Sequence, residues 1–414
     1  MQSSPGCRAA PVSHSNAMHH LLIGHLAIAS SAGVGVTATL SALQSGTSGL
    51  HPCQFETVRL PTYVGAIDAL ADVALPHALA AFDCRNNRLA EMALRQDGFE
   101  EAVAAAVARH GSRRIGLFLG TSTSGILQAE LAYRARDATT ANLPKDFDYQ
   151  RTQNVASLAG YLRQRLSIDG PSFVVSCACA STAKTFGCAA RMIEAGICDA
   201  AIVGGADTLC LTTLYGFHAL ALDAPGPCRP FDIARDGISI GEAAGFALLE
   251  RPHAHTESDA IMLLGVGESN DAYHMSSPHP EGIGARLAME RALSTAKLVP
   301  CDIDYINLHG TATRVGDAAE DLAVFTLFGS DTPCSSTKGQ TGHSLGAAGI
   351  VEAIISVLAI REGLMPGSAH TETVDPSFRS HYLLKTQPAR IRTVLSNSFG
   401  FGGSNCSLIF GRTR

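Results

Sequence analysis

Short apolar runs alternate along the chain with segments whose apolar residues recur every three or four positions. The short runs have the length of strands, and several are apolar without interruption, as in strands buried on both faces of a sheet. The pattern therefore predicts a sheet whose strands come from the whole chain. The predicted strands cover residues 21–29, 114–120, 172–177, 200–205, 245–250, 305–309, 332–336, 393–397 and 406–410.

Two segments between these runs have the periodicity of helices. In residues 180–195, apolar side chains from Phe186 to Ile193 follow the spacing of one helix face, and Gly196 is placed to end the helix. Residues 345–363 repeat this pattern. The alternation of strands and helices predicts an α/β fold with right-handed crossovers.

The two predicted helices belong to similar units. Each follows a strand and a tight turn, and each begins with small residues that permit close packing, in residues 172–196 and again in residues 332–363. This repetition indicates a duplicated fold with a site between its halves.

Composition narrows the functional classes. The chain has 414 residues, of which 46% are hydrophobic, and this is enough for a full core. Its net charge of −6 argues against a nucleic-acid binder, which needs a basic excess to neutralise phosphates. No stretch reaches the ~20 apolar residues that span a bilayer. Residues 1–18 are rich in Ser, Pro and Gly, and we expect a disordered N-terminal extension there.

The twelve cysteines are scattered along the chain, and none of them forms a CxxC pair. This distribution favours reduced thiols and a cytoplasmic location, and it argues against a zinc ribbon or a thioredoxin-like centre.

One cysteine has the context of a nucleophile. Cys179, in FVVSCACAST, lies where a predicted strand turns into a helix, and the start of a helix favours a thiolate. The alternative is an inert, buried cysteine, which is how we interpret Cys177 and Cys188.

Two histidines have neighbours that suit a site. His309, in NLHGTAT, follows a predicted strand, and His343, in TKGQTGHSLGAAG, precedes a helix. Lys338 and Glu352 are candidates for a buried pair that orients the imidazoles, and Asp317 and Glu320 flank the first histidine segment. The alternatives are structural histidines and ordinary solvated ion pairs.

The C-terminal segment SNSFGFGGSN (396–405) is the last candidate. Glycines on both sides of Phe401 would let its backbone N–H approach a thioester oxygen, and the ring could close over a pocket. A simple turn is the alternative.

Together these motifs resemble the β-ketoacyl-[acyl carrier protein] synthases of the thiolase-fold superfamily, and the resemblance runs from about residue 20 to residue 410. With His343 at the position where the initiating class has Asn, the chain resembles the elongating Cys–His–His class. The supporting motifs are IASSAGVGVTATLSALQSGTSGL, GTSTSGI, FVVSCACAST, IVGGAD, PCRPFDIARDGISIGEAAG, SNDAYHMSSPHPEG, HGTATRVGDAAE, STKGQTGHSLGAAG and SNSFGFGGSN.

The resemblance implies a thiolase-like α/β fold with duplicated αβαβα layered halves, the first over residues 19–256 and the second over residues 257–412. It also implies roles for individual residues. The catalytic set is Cys179 as nucleophile, His309 and His343 for decarboxylation, Lys338 with Glu352 in support, and Phe401 with Cys179 as oxyanion donors. The implied substrate-binding set is Thr311, Thr313, Thr123, Phe399 and Gly402.

The activity implied is decarboxylative condensation of an acyl-enzyme thioester with malonyl-[acyl carrier protein], without a metal or an organic cofactor. The implied partners are a phosphopantetheinylated acyl carrier protein and a second synthase subunit, identical or related, with SFVVSC near the interface. Arg134 and Arg136 are candidates for carrier docking. Ile238 and Asp207 depart from the commoner family residues, and the combination with GEAAG resembles synthases of specialised pathways such as aryl polyenes.

Three alternatives remain open from the sequence. A degradative thiolase would need a second catalytic cysteine near the C-terminal loop, where Cys406 lies without the expected Cys-x-Gly context. A chain-length-factor-like subunit would have lost the nucleophile. A metal-binding protein would use Cys177, Cys179, His309 and His343.

Overall fold

Alternating helices and strands fill the chain, as the sequence predicts. The computed structural model describes residues 18–253, 256–257 and 259–412, so the predicted extension lies outside the described residues except for Met18. The elements of the first half are β1 (Leu21–Ser30), β2 (Gly33–Val34), α1 (Val36–Ser45), β3 (His51–Pro52), β4 (Tyr63–Gly65), α2 (Arg85–Leu94), α3 (Phe99–His110), β5 (Ile115–Gly120), α4 (Ile126–Arg134), α5 (Ser157–Arg165), β6 (Ser172–Val175), α6 (Ser181–Glu194), β7 (Ala200–Asp207), α7 (Leu211–Ala219), β8 (Ile240–Gly241) and β9 (Ala243–Glu250).

The second half is shorter and continues the same alternation. Short 3₁₀ turns, among them Leu345–Ala347 and Phe401–Gly403, connect several elements. The elements of this half are β10 (Ile261–Asn270), α8 (Ile283–Ala296), β11 (Tyr305–Asn307), α9 (Arg314–Phe328), β12 (Pro333–Ser335), α10 (Lys338–Thr341), α11 (Ala348–Glu362), β13 (Leu364–Met365), β14 (His381–Tyr382), β15 (Gln387–Pro388), β16 (Thr393–Gly400) and β17 (Ser404–Arg412).

The main strands repeat one topology. In the first half the order across the sheet is β6-β5-β7-β9-β1, and in the second half it is β12-β11-β16-β17-β10. In both sets the first two neighbouring pairs are parallel and the next two are antiparallel. A short antiparallel pairing between β1 and β10 joins the two sets. The predicted duplication of the fold is therefore confirmed, while the boundary at residues 256 and 257 stays a prediction.

Two central helices separate the halves. α6 packs on β5 and β7, α11 packs on β9 and β16, and the two helices contact each other. At their contact, a Cβ added to Gly349 would lie 2.6 Å from the backbone nitrogen of Ala183, so only glycine permits this approach. α2, α3 and α5 cover the outer face of the first sheet, and α8 covers β10 and β17. The result is five layers in the order αβαβα.

Each predicted strand coincides with an observed strand, but the long strand β10 was not predicted. Gly265 and Gly267 lie inside β10, where glycine is unfavourable for a strand. The structure gives the reason, because a Cβ at these positions would lie 2.4 Å and 2.0 Å from the carbonyl oxygens of Ala292 and Ala288 on α8. The glycines thus allow α8 to pack directly on the sheet.

No helix within the described ranges is both long and apolar enough to cross a membrane.

Candidate active site

A cavity of about 310 Å³ lies between the halves, and the principal candidates meet on its wall. The three reactive groups are the Cys179 thiol and the imidazoles of His309 and His343. Other predicted residues on the wall are Thr311, Thr313, Phe399 and Phe401.

Cys179 belongs to a tight turn between β6 and α6. Ala178 adopts a left-handed backbone with φ 48°, and the Ser181 hydroxyl accepts the Cys177 N–H at 2.9 Å and donates to the Ala178 carbonyl at 2.6 Å. This turn directs the sulfur into the cavity, where it lies 3.0 Å from Nε2 of His343.

Burial raises the pKa of the Cys179 thiol to about 12, although the Lys338 charge and the Phe401 N–H act in the opposite direction. The sequence predicted that the start of the helix would favour a thiolate. Burial outweighs that effect, and the resting group is a thiol beside an imidazole.

His309 follows β11, and α9 fixes its backbone. The carboxylate of Glu320 accepts the N–H groups of His309 and Gly310 at 2.8 Å and 2.7 Å. Nδ1 of the ring lies 3.4 Å from Nζ of Lys338. Since an ammonium group can only donate, this contact leaves the imidazole proton on Nε2. Burial, Lys338 and His343 hold the pKa of His309 well below its usual range.

His343 belongs to the second half but is bound to the first. Its N–H donates to the Ser239 carbonyl at 2.7 Å, and its carbonyl accepts the Gly241 N–H at 3.0 Å. Burial and then Lys338 hold the pKa of His343 well below its usual range. The rings of His309 and His343 are nearly perpendicular, with centroids 5.3 Å apart. Two neutral imidazoles therefore face the same space.

Lys338 and Glu352 form a buried ion pair behind the histidines. The Lys338 ammonium also donates to the His309 carbonyl. Burial raises the pKa of Glu352 to about 7, and the ammonium charge opposes this shift. Removing either partner would leave an uncompensated buried charge.

The loop around Phe401 closes the other side of the cavity. The backbone N–H of Phe401 acts to lower the pKa of the Cys179 thiol, and the centroid of the Phe401 ring lies 5.6 Å from that of Phe217. Gly402 adopts φ 76° and donates its N–H to the Met275 carbonyl at 2.7 Å. A left-handed residue at this point is needed to turn the chain back into β17.

The remaining predicted residues divide into two groups. Thr311 and Thr313 line the cavity with hydroxyl oxygens 3.0 Å apart, and the ring of Phe399 lies 5.9 Å from that of His309. Thr123 and Gly402 are not among the residues that line the described cavity. Substrate binding at all these positions stays a prediction.

Sequence reasoning missed what Glu320, Asp207 and Phe217 do. Glu320 holds the His309 backbone, Asp207 binds the loop after β5, and Phe217 packs on Phe401. No pairing of residue types marks Glu320 in the sequence, because its partners are the backbone N–H groups of His309 and Gly310. Phe217 had no signal either, since it comes from a distant helix.

The same three residues have side chains of the types that bind metal ions. Ligand atoms of Cys179, His309 and His343 lie within 4.8 Å of one another. Cys177, which the metal-binding alternative requires, is not part of this group.

We expect both imidazoles to stay neutral through the physiological pH range, since burial and the Lys338 charge oppose their protonation. Nitrogen-15 NMR of histidine-labelled protein between pH 5.5 and 8 should show two imidazoles that do not titrate. Variants His309→Ala and His343→Ala assign these signals, and a signal of either residue that titrates near pH 6.5 would contradict the prediction.

The αβαβα layers, with a thiol and two neutral imidazoles around one cavity, define a thiolase-like acyl-transferring enzyme. Residues 65–255 match the beta-ketoacyl synthase N-terminal domain, and residues 261–372 match the C-terminal domain of the same family. The chain belongs to the beta-ketoacyl synthase family.

Individual relatives agree with this assignment. The chain is 33% identical to 3-oxoacyl-[acyl-carrier-protein] synthase 2 of Coxiella burnetii over 95% of this chain and 98% of that protein. It is 42% identical to the mitochondrial 3-oxoacyl-[acyl-carrier-protein] synthase of Arabidopsis thaliana over 62% of this chain, and the match spans 59% of that protein's length. Among solved structures, it resembles the ketosynthase ApeO in complex with its chain length factor ApeC from Xenorhabdus doucetiae, with 38% identity, a TM-score of 0.86 and coverage of 95% and 98%.

Proposed function

We propose that the protein condenses an acyl group held on Cys179 with malonyl-[acyl carrier protein], giving 3-oxoacyl-[acyl carrier protein] and carbon dioxide. The observation that carries the proposal is the 3.0 Å contact between the Cys179 sulfur and Nε2 of His343, with His309 on the same cavity wall. The relatives named as 3-oxoacyl-[acyl-carrier-protein] synthases support this reaction class.

The first step transfers the acyl group to the protein. The sulfur of Cys179 attacks the carrier thioester beside the ring of His343, and the proton of the Cys179 thiol ends on the departing carrier thiol. The backbone N–H groups of Cys179 and Phe401 hold the oxyanion. The Phe401 N–H acts to lower the pKa of the Cys179 thiol, and this favourable effect on negative charge supports the assignment.

The second step makes the carbon–carbon bond. Malonyl carrier protein loses carbon dioxide, and the electrons of the broken bond form an enolate whose oxygen accepts N–H groups from His309 and His343. The enolate carbon attacks the acyl thioester, the bond to Cys179 breaks, and the sulfur takes up one proton from solvent. Lys338 supports the role of His309 because its contact with Nδ1 leaves Nε2 protonated.

The thiolase alternative has less support. Cys406 is fully buried in β17 and is not among the residues that line the described cavity. A chain-length-factor-like subunit is also disfavoured, because Cys179 is present and in contact with His343.

We propose an acyl carrier protein as the partner at the cavity mouth. The exposed apolar side chains of Leu220, Met275 and Val315 lie on or beside segments that line the cavity, and Arg314 lines it as well. Apolar and basic groups together suit a small acidic protein that delivers a thioester. Of the earlier docking candidates, Arg134 forms an ion pair with Glu56.

We further propose that the protein forms a dimer with an identical or related subunit. We also propose that it acts in an aryl polyene or similar specialised pathway and that its location is cytoplasmic. The relative ApeO was solved with a chain length factor, and this supports a related partner. The presence of Ile238 on the cavity wall fits a specialised acyl group. The scattered cysteines support a reducing compartment.

Mass spectrometry tests the proposed function. The protein is incubated with acyl phosphopantetheine thioesters of several chain types, and then with malonyl carrier protein. We expect a covalent acyl adduct on Cys179 that disappears as 3-oxoacyl carrier protein forms. Cys177→Ala should keep the adduct, because Cys177 is not part of the group formed by Cys179, His309 and His343. Labelling of Cys177 instead, or tightly bound stoichiometric zinc in the active protein, would overturn the proposal.

A further inference from the structure

Asp207, at the end of β7, is a fully buried carboxylate that does not line the described cavity. Its oxygen Oδ1 accepts the hydroxyl and the N–H of Thr123 at 2.8 Å and 2.9 Å. The hydroxyls of Thr121 and Ser122 donate to the carboxylate at 2.6 Å and 2.5 Å. These bonds belong to the first half of the protein and hold the loop that follows β5.

One further bond of Asp207 crosses to the second half. The N–H of Gly346 donates to Oδ2 at 2.6 Å, and Gly346 lies three residues after His343. A Cβ at Gly346 would lie 2.7 Å from this oxygen, so the backbone approaches the carboxylate as closely as glycine allows. The Thr182 hydroxyl of α6 donates to the Gly346 carbonyl at 2.7 Å and adds a second contact across the halves.

This contact matters because the two halves supply different parts of the site. Cys179 comes from the first half and His343 from the second, yet the sulfur and Nε2 must stay 3.0 Å apart. Ser239 and Gly241 bind the backbone of His343 itself. Asp207 binds the chain just after it, so the segment is held at two points.

We propose that Asp207 is a positioning residue, which holds His343 against the sulfur of Cys179 by binding the N–H of Gly346. The expected effect of this positioning on turnover rests on the proposed condensation, whereas its expected effect on the reactivity of the Cys179 sulfur does not.

Asp207→Asn is the appropriate variant. It keeps the size of the side chain but replaces one acceptor oxygen by an NH₂ group. If that group faces Gly346, two donors meet and the cross-half bond is lost. The bonds of Thr121 and Thr123 to the other oxygen can remain.

The test measures alkylation of Cys179 by iodoacetamide at pH 7 to 8, in a Cys177→Ala background, with the modified peptide read by mass spectrometry. We expect Asp207→Asn to slow the reaction by about tenfold, because misplacing a catalytic group by ~1 Å can cost up to 10²-fold. A purely electrostatic role of Asp207 predicts the opposite change in the alkylation rate. The negative charge of Asp207 raises the pKa of Cys179, so its removal alone would speed alkylation.

Two controls separate positioning from stability. Asp321→Asn removes a similar buried carboxylate, which accepts backbone N–H groups of Arg379 and Ser380 and does not line the cavity. It should lower thermal stability comparably and leave alkylation unchanged. In a His343→Ala background, Asp207→Asn should have no further effect on alkylation, because it acts through the missing ring.

Equal slowing by Asp321→Asn, faster alkylation in Asp207→Asn, or an undiminished effect without His343 would each overturn the proposal. The two hypotheses fail separately. Slower alkylation in a protein that forms no 3-oxoacyl product would refute the proposed function alone, and a normal rate in an active synthase would refute the positioning role alone.

Discussion

Cys179→Ala is expected to abolish condensation, with a loss of about 10³-fold or more, since Cys179 is the one cysteine among the described residues that lines the cavity. The residual reaction should be informative. The two imidazoles remain, so the variant should still release carbon dioxide from malonyl carrier protein. The measurement is product formation by mass spectrometry, with carbon dioxide release followed in parallel.

The matched control is Cys177→Ala, two residues away in the same turn and therefore exposed to the same risk of misfolding. We expect it to keep most of the condensation activity. A Cys179→Ala protein that still condenses at a rate near that of the unchanged protein would remove the basis of the mechanism.

His309→Ala should lower decarboxylation by about 10²–10³-fold, the usual cost of removing one donor from an oxyanion site. Acylation of Cys179 should be much less affected, because His343 and not His309 makes the 3.0 Å contact with the sulfur. The two half-reactions are measured separately, as adduct formation and as carbon dioxide release.

His309→Gln serves as the conservative variant, since its amide keeps an N–H donor and should recover part of the decarboxylation rate. His381→Ala changes an exposed histidine of β14 and should have no effect. Equal loss in both half-reactions with His309→Ala would indicate that the ring acts on the sulfur, contrary to the proposed division between the two imidazoles.

Local pattern was sufficient to predict most main strands and both central helices, because these elements are apolar and buried on several sides. α11 is an example, since residues 348–360 are all buried and their sequence is strongly apolar. Strand β10 escaped prediction because its glycines serve packing against α8, and that requirement is set by a distant segment. A single-segment pattern carries no information about such contacts.

The same distinction between local patterns and distant contacts applies to the residues of the site. Cys179, His309 and His343 stand in distinctive motifs, and the fold brings them to one cavity. The residues that hold them were harder to identify. Glu320 and Asp207 act through backbone N–H groups, which any residue can supply, so no pairing of residue types marks them in the sequence.

The repeated strand order has a consequence for how the reactive groups are shared. In each half, with the main strands counted in chain order, a central helix lies between the third strand and the fourth. The chain just before that helix carries Cys179 in the first half and His343 in the second. The two positions correspond in the repeated topology but differ in chemistry, and the sulfur and both imidazoles share a single cavity instead of forming two equivalent sites. A fragment that ended before residue 305 would retain the sulfur and lack both imidazoles.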